Sequence, residues 1–487
     1  MRDRSHDEVD LGQRLLPGED LAQGHGEGPG RRSVSAKVVL YTAYVALLTF
    51  KPSEAFLVEY LVDKGIEGVD TERALSRSVL AVFTYSRGPA LLLCLLLCRF
   101  WGCKIVVVLG ALCGLATTVL TLFSRSLVLL QVSQVSAAFY FAGLIAFDAL
   151  QFDGMSLGTF QLVSHLTKGF TLASCCVSSL LGQCLRGYVG DRALFAMTLG
   201  FEAAACLLSL FLPGGGTSRG WGRRGKGTAM VAQGKAKEPF RDFLASLRQQ
   251  EILQWTILWT FCYAVHDLVL TNWQILAELK LREFSGRANW NGYMWSAGYL
   301  VSSLLTLGTS SFGVLQGCAS FVMVGTPLVM GLALFTMDVA KIASFYLSFV
   351  LFQAAFQLTA AVRNAAIAKC VGAPREAGQE EGGDDLLTHH HRGSGSDGSL
   401  RGGDKIFVLS AILWLAGGAG VGLEALVQGV IQSIPALSFA DAVVWEAMAS
   451  FLSILSLCFA TFFLVTQVRT RKRRKKRRHE DFGSEND

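Results

Sequence analysis

Apolar stretches long enough to cross a bilayer recur along this chain, and nothing else in it constrains the fold as strongly. A helix needs about 20 consecutive apolar residues to span the hydrocarbon layer, where every backbone polar group must be paired within the protein. Twelve such spans are predicted, at about Lys37–Val62, Leu75–Cys98, Ile105–Phe123, Leu127–Leu150, Thr159–Leu185, Ala193–Leu212, Ile252–Leu276, Trp290–Leu307, Val314–Phe335, Ile342–Val362, Ile406–Ile431 and Ala440–Val468. The 17% share of charged residues and the mean hydropathy of +0.41 agree, since soluble domains carry about 25% charge. The reading is an all-α, multi-pass integral membrane protein.

Polar segments divide the spans. Residues 1–36 are polar and Gly-rich and read as a disordered cytosolic tail, without the apolar core of a signal peptide. Residues 37–212 hold six spans, residues 213–250 form a basic loop, and residues 251–468 hold six more. A Gly-rich insert at 374–404 and a polybasic tail at 469–487 complete the chain. Six plus six around a long loop is the plan of the major facilitator fold, whose two halves enclose a midplane site. The positive-inside rule places the basic loop and the basic tail in the cytosol, and so both termini. The tail is expected to lie on anionic lipid; no nucleic-acid partner is expected.

Nothing points to an enzyme or a resident cofactor. The chain carries neither a phosphate-binding Gly-rich loop followed by lysine and serine or threonine, nor a His-Glu-x-x-His helix. The cysteines fall in apolar segments and read as small hydrophobes. The His389-His390-His391 run lies in the Gly/Ser-rich insert, and no metal site is predicted there.

Ionisable groups deep in apolar spans are expensive and mark candidate sites. They are Glu54 in span one, Arg87 in two, Lys168 in five, His266 and Asp267 in seven, and Glu424 in eleven. Asp148 and Arg363 lie nearer the span ends. Glu54 follows Pro52, so span one reads either as a kinked helix carrying an acid or as a loop between two shorter elements. Structural ion pairs, Glu54 with Arg87 or Asp148 with Lys168, are the plain alternative to ligand contacts. Gly417-Gly418-Ala419-Gly420 reads as a site of close helix packing.

Several local patterns resemble one family. Lys51-Pro52-Ser53-Glu54-Ala55-Phe56-Leu57 with Tyr60-Leu61 is similar to the first-helix signature of the reduced folate carrier and thiamine transporter family. Thr84-Tyr85-Ser86 resembles its second helix, and Phe160-Gln161-Leu162-Val163 with Lys168 and Ser178 to Gln183 its fifth. Trp259-Thr260-Phe261 through Trp273-Gln274-Ile275-Leu276 resembles the seventh, Asn291-Gly292 the eighth, and Val350-Leu351-Phe352 with Gln357 the tenth. The resemblance implies a secondary-active carrier of folates or thiamine. It makes Glu54 the substrate-site acid and Lys168 a helix-five base, and puts His266, Asp267 and Asn291 at pocket positions.

The departures decide between substrates. Basic residues that the family's folate carriers use in helices four and ten are Leu144 and Gln353 here. Acids Glu54, Asp267 and Glu424, with Asp148 close by, outnumber Arg87 and Lys168. An acid excess in a low-dielectric cavity favours a cation, so a thiamine-like substrate is preferred to a folate-like anion. Aromatics offered to that cation are Phe56, Phe83, Tyr85, Tyr140 and Tyr263. His266 beside Asp267 suggests a proton-linked step. A non-transporting receptor or scaffold on the same fold is the alternative from another class.

Overall fold

The computed structural model describes residues 29–66, 71–151, 157–213, 243–283, 289–311, 319–339, 341–372, 402–434, 443–462 and 465. Most of the expected N-terminal tail, of the basic loop and of the insert with its histidine run lies outside these residues, as does the polybasic tail. The first half comprises α1 (Pro29–Leu48), α2 (Leu57–Asp63), α3 (Glu72–Leu75), α4 (Ala81–Trp101), α5 (Cys103–Phe123), α6 (Leu127–Gln151), α7 (Leu157–Val189) and α8 (Asp191–Phe211). The second comprises α9 (Gln250–Glu283), α10 (Asn291–Ser311), α11 (Ala319–Val339), α12 (Ile342–Gly372), α13 (Gly402–Ser433) and α14 (Val443–Phe462). With α1 and α2 forming one broken span and α3 and α4 one continuous one, the described residues make twelve spans, six plus six. Eight helices are long and apolar enough by themselves to cross a membrane.

Span one is not a kinked helix. α1 stops at Leu48, and the chain turns through Thr49–Ser53 before a single 3-10 turn at Glu54–Phe56 leads into α2. Pro52 has no N–H to continue the α-helical ladder, and its ring disfavours a helical residue before it. The turn closes with its own bonds, the Glu54 N–H donating to the Lys51 carbonyl (3.2 Å) and the Phe56 N–H to the Ser53 carbonyl (3.0 Å). The loop alternative is therefore the observed one, and α1 begins at Pro29, ahead of the expected Lys37. Pro327, by contrast, is accommodated within α11.

Gly182 on α7 lets this turn lie against it. A Cβ there would sit 2.1 Å from the Pro52 carbonyl oxygen, a backbone atom with little freedom to move. Gly182→Ala is expected to lower thermal stability by about 1–3 kcal/mol, measurable on the solubilised protein by size-exclusion thermal shift. An unchanged melting curve would remove this close approach. In the expected small-residue run only Gly420 is tightly packed, with Tyr263 and the Thr260 carbonyl against its would-be Cβ; Gly417 and Gly418 face open space.

Long helices exceed their predicted apolar cores at both ends. α7 runs 33 residues and α9 34, about 50 Å at 1.5 Å per residue, so their polar ends extend beyond hydrocarbon thickness. Two seams join the halves, α7 against α10 and α4 against α13. Buried aromatics fill the second half, where Trp273 stacks on Trp295 (4.9 Å) and Trp295 on Phe349 (5.5 Å). Large apolar side chains such as Leu92 and Phe321 point outward, as suits a surface facing lipid.

Candidate functional site

Polar contacts between the halves gather at one end of the bundle. Ser76 begins a π-helical turn, Ser76–Leu80, that leads into α4, and its hydroxyl donates to Asn272 Oδ1 on α9 (3.1 Å). Such turns inside helices recur at functional positions. The Val58 N–H donates to Gln274 Oε1 (3.0 Å), and Gln274 Nε2 donates to the Glu54 carbonyl (2.8 Å). One amide from the second half thus holds two backbone groups beside the break in span one. Gln183 Nε2 donates to the Asn289 carbonyl and its Oε1 accepts from the Gly292 N–H, both at 2.8 Å. The Tyr85 hydroxyl donates to Gln432 Oε1 (2.7 Å). All these residues lie where spans one, five, seven and eleven end and spans two and eight begin, so this end is shut. Toward the other end, Cys176 with Ser296 and Ser303 with the Gly169 carbonyl join the halves along the α7–α10 seam. Asp148 and Lys168 have exposed side chains there.

Below the closed end sits a buried ionic cluster. Arg87 Nη1 donates to Glu424 Oε2 (2.8 Å) and pairs with Asp267 Oδ2, while Nη2 donates to the Tyr263 hydroxyl (2.7 Å). Thr84 donates to the other Glu424 oxygen (3.2 Å). Arg87 and Glu424 are buried, and Asp267 is partly open. Three helices supply the charges, α4 from one half and α9 and α13 from the other. The alternative of a structural pair between Arg87 and Glu54 is therefore not the one formed. Arg87 meets acids of the second half because its helix packs along the α4–α13 seam.

His266 adjoins the cluster. Its Nε2 shares a 2.8 Å hydrogen bond with Gln353 Oε1, its Nδ1 lies 3.8 Å from Asp267, and its ring stacks on Phe356 at 3.5 Å. Gln353, noted in the sequence only as a missing base, fixes this imidazole.

The aromatics offered to a substrate cation are engaged by the protein. Phe83 and Tyr263 flank the Arg87 guanidinium at 5.2 and 5.8 Å, joined by Phe141 at 5.5 Å. Tyr140 lies 4.1 Å from Lys51 Nζ. Phe56 is buried under Arg186 at 4.5 Å. Asn291 is buried at the shut end, where its Oδ1 accepts from Tyr346 (3.0 Å) and its Nδ2 donates to Glu278 (3.3 Å). Phe56, Tyr85 and Asn291 thus belong to the closure and its packing, apart from Arg87, Asp267 and Glu424.

Glu54 stands differently. Its side chain is partly exposed and makes no ion pair among the described residues. It lies within electrostatic reach of Lys51, Tyr140, Cys175 and Tyr299. Asp148 lies within electrostatic reach of Lys168 and of Arg363, and the alternative ion pair of Asp148 with Lys168 does not form among the described residues. The Arg363 guanidinium sits 3.7 Å over Trp259. Sequence reading missed Glu202, a buried acid on α8 bound to Lys51 at 2.9 Å. A lone carboxylate in an apolar span was its visible signal. Of two shallow depressions, the one beside Gly331 and Ser450 lies away from these groups, and the one beside Trp290 and Tyr346 adjoins Asn291 at the shut end.

The family model described as Reduced folate carrier matches residues 32–229 and 223–377. A folate-like transporter of Dictyostelium discoideum is 22% identical over 332 residues, 68% of this chain and 55% of that protein. The reduced folate transporter of Rattus norvegicus is 22% identical over 351 residues, 66% of this chain and 67% of its own length. Thiamine transporter 2 of Homo sapiens is 28% identical over 191 residues, 38% of each. The chain thus spans little more than half the length of the first of these relatives. Among solved structures, a point mutant of the nucleoside transporter NupG aligns with TM-score 0.53 and 14% identity, covering 88% of this chain and 100% of that one. A point mutant of the peptide transporter POT, in complex with alafosfalin, aligns with TM-score 0.55 and 12% identity, covering 88% and 93%. At such identities the structural likeness speaks to the fold alone.

Proposed function

The chain belongs to the reduced folate carrier family, and from that premise we propose a secondary-active carrier that moves a water-soluble vitamin by alternating access, with a thiamine-like cation preferred. The observation that carries the preference is the Glu54 carboxylate, which has no ion-pair partner among the described residues. Arg87, the base most able to oppose a cation, is already matched by two acids. The cluster of Arg87, Asp267 and Glu424 keeps one excess negative charge when all three are ionised, and Glu54 adds another. Low local dielectric amplifies that excess. Charged donors near the open end, Lys168 and Arg363, favour the second reading, a folate-like anion, which the rat relative also supports.

With both termini in the cytosol, the shut end faces outward and the exposed Asp148 and Lys168 face inward, an inward-open state. Gln274, Ser76 and Gln183 then form the outer gate, and substrate favours whichever state binds it more tightly. The proposed location is the plasma membrane, with the polybasic tail on anionic lipid.

A four-compound uptake panel in transport-deficient cells tests the assignment: thiamine, folate, methotrexate and thiamine pyrophosphate. Saturable uptake of thiamine alone is expected. Uptake of folate and methotrexate instead moves the assignment to the anion, and uptake of none supports a receptor or scaffold. Transport is also expected to change between about pH 5.5 and 8, where an imidazole titrates, and to lose that change in His266→Gln. A flat wild-type profile over this range removes the proton-linked step.

A further inference from the structure

A lysine stands three residues ahead of Glu54, in the same turn, and the two charges are within electrostatic reach. Left to itself, it would neutralise the carboxylate on which the cation reading depends. The tertiary structure sends it elsewhere. Lys51 Nζ is 2.9 Å from Glu202 Oε1 and lies over the Tyr140 ring. Glu202 is fully buried in α8, and its Oε2 has no hydrogen-bond partner among the described residues. Lys51 is thus the counter-charge that this acid holds among those residues. An acid so buried holds its partner strongly because an unpaired buried charge is costly.

The rest of the turn is pinned in the same sense. Thr198 lies one helical turn before Glu202, on the same face of α8, and its hydroxyl shares a 2.9 Å bond with Ser53. α7 presses on Pro52 at Gly182, and Gln274 holds the Glu54 carbonyl from the other half. Lys51-Pro52-Ser53 is therefore anchored toward α7 and α8.

We propose that Glu202 is a positioning residue that sets the charge preference of the site: by holding Lys51, it leaves Glu54 without an ion-pair partner among the described residues and available to a cationic substrate. The proposal rests on Glu54 as a substrate contact, and it deepens that reading. Losing the Glu202 charge releases Lys51 onto Glu54 and offsets the Glu54 share of the site's negative potential.

Two arms test it. The first needs no substrate. Glu54→Cys is introduced into the full chain, and its modification by an anionic sulfonatoethyl and a cationic trimethylammonioethyl methanethiosulfonate is timed, with the parent chain's rates subtracted. Adding Glu202→Gln should raise the anionic-to-cationic rate ratio by about tenfold or more, as a unit charge moved to within a few ångströms requires. Glu202→Asp keeps the buried charge but reaches one methylene less far, so it should raise the ratio part of the way even where Glu202→Gln fails to fold. A ratio unmoved in the variants that reach the membrane overturns the proposal.

The second arm reads thiamine uptake per surface carrier. Glu202→Gln should raise KM about tenfold with turnover retained, and adding Lys51→Gln should bring KM back. In a Glu54→Gln background, Glu202→Gln should change KM no further. Lost turnover with an unmoved KM, or a raised KM that persists after Lys51 is removed, overturns the proposal. A wild-type chain that takes up no thiamine refutes the cation reading, and the modification ratio still decides the role of Glu202.

Discussion

Arg87→Met should destabilise the protein by about 3–5 kcal/mol, the usual cost of stranding a buried charge. The substitution leaves Glu424, fully buried, and Asp267, mostly buried, with no cation between them. Surface abundance should fall, and the solubilised protein should melt well below wild type by size-exclusion thermal shift. Neutralising the acids as well, with Asp267→Asn and Glu424→Gln, should recover most of the loss, because no unpaired charge then remains. Glu424→Gln alone should cost less, about 1–2 kcal/mol, since Asp267 still opposes Arg87. Because the cluster ties α4 to α9 and α13 across the halves, its loss should also loosen the shut end. An Arg87→Met protein as stable as wild type would show that the three charges are not held as an ion-paired unit.

Glu54→Gln should do the opposite, sparing stability and impairing transport. The side chain is partly exposed and unpaired among the described residues, so its charge supports no internal contact. A hydrogen bond between charged groups contributes about 1.5–3 kcal/mol, so thiamine uptake efficiency should fall roughly 10–150-fold at unchanged surface abundance. Lys168→Gln should leave that uptake within about twofold of wild type, since its side chain is exposed and an exposed charge is well screened. The anion reading requires the reverse pattern, with Lys168→Gln impairing folate uptake and Glu54→Gln tolerated. Uptake measured side by side for both variants separates the two substrates, and a Glu54→Gln carrier with wild-type thiamine kinetics would end the cation assignment.

Local chemistry already marked most of these residues. A carboxylate or guanidinium inside a 20-residue apolar stretch is visible without any structure, which is how Glu54, Arg87, Asp267 and Glu424 stood out. Pro52 likewise announced an interruption of span one. Its form was not legible, because a proline permits both a kink and a break, and the choice depends on what receives the freed backbone groups. Here Gln274, on a helix of the other half, receives the Glu54 carbonyl and the Val58 N–H. The aromatics were legible as aromatics, yet Phe83 and Tyr263 surround Arg87 and Phe56 lies under Arg186. Composition names a ring's chemistry; only packing names the cation on its face.

The sequence by itself determined the twelve apolar spans, their division into two sets of six, and the membrane as the solvent, because hydrophobic length is a property of consecutive residues. Which charge answers which was decided by tertiary structure alone. Arg87 and Glu424 are 337 residues apart, and their meeting depends on the register of two helices from different halves. Lys51 is drawn to Glu202 on α8 although Glu54 is three residues away. Coulomb attraction follows distance in space, and a fully buried acid binds the cation it can reach more firmly than a partly hydrated one nearer in the chain.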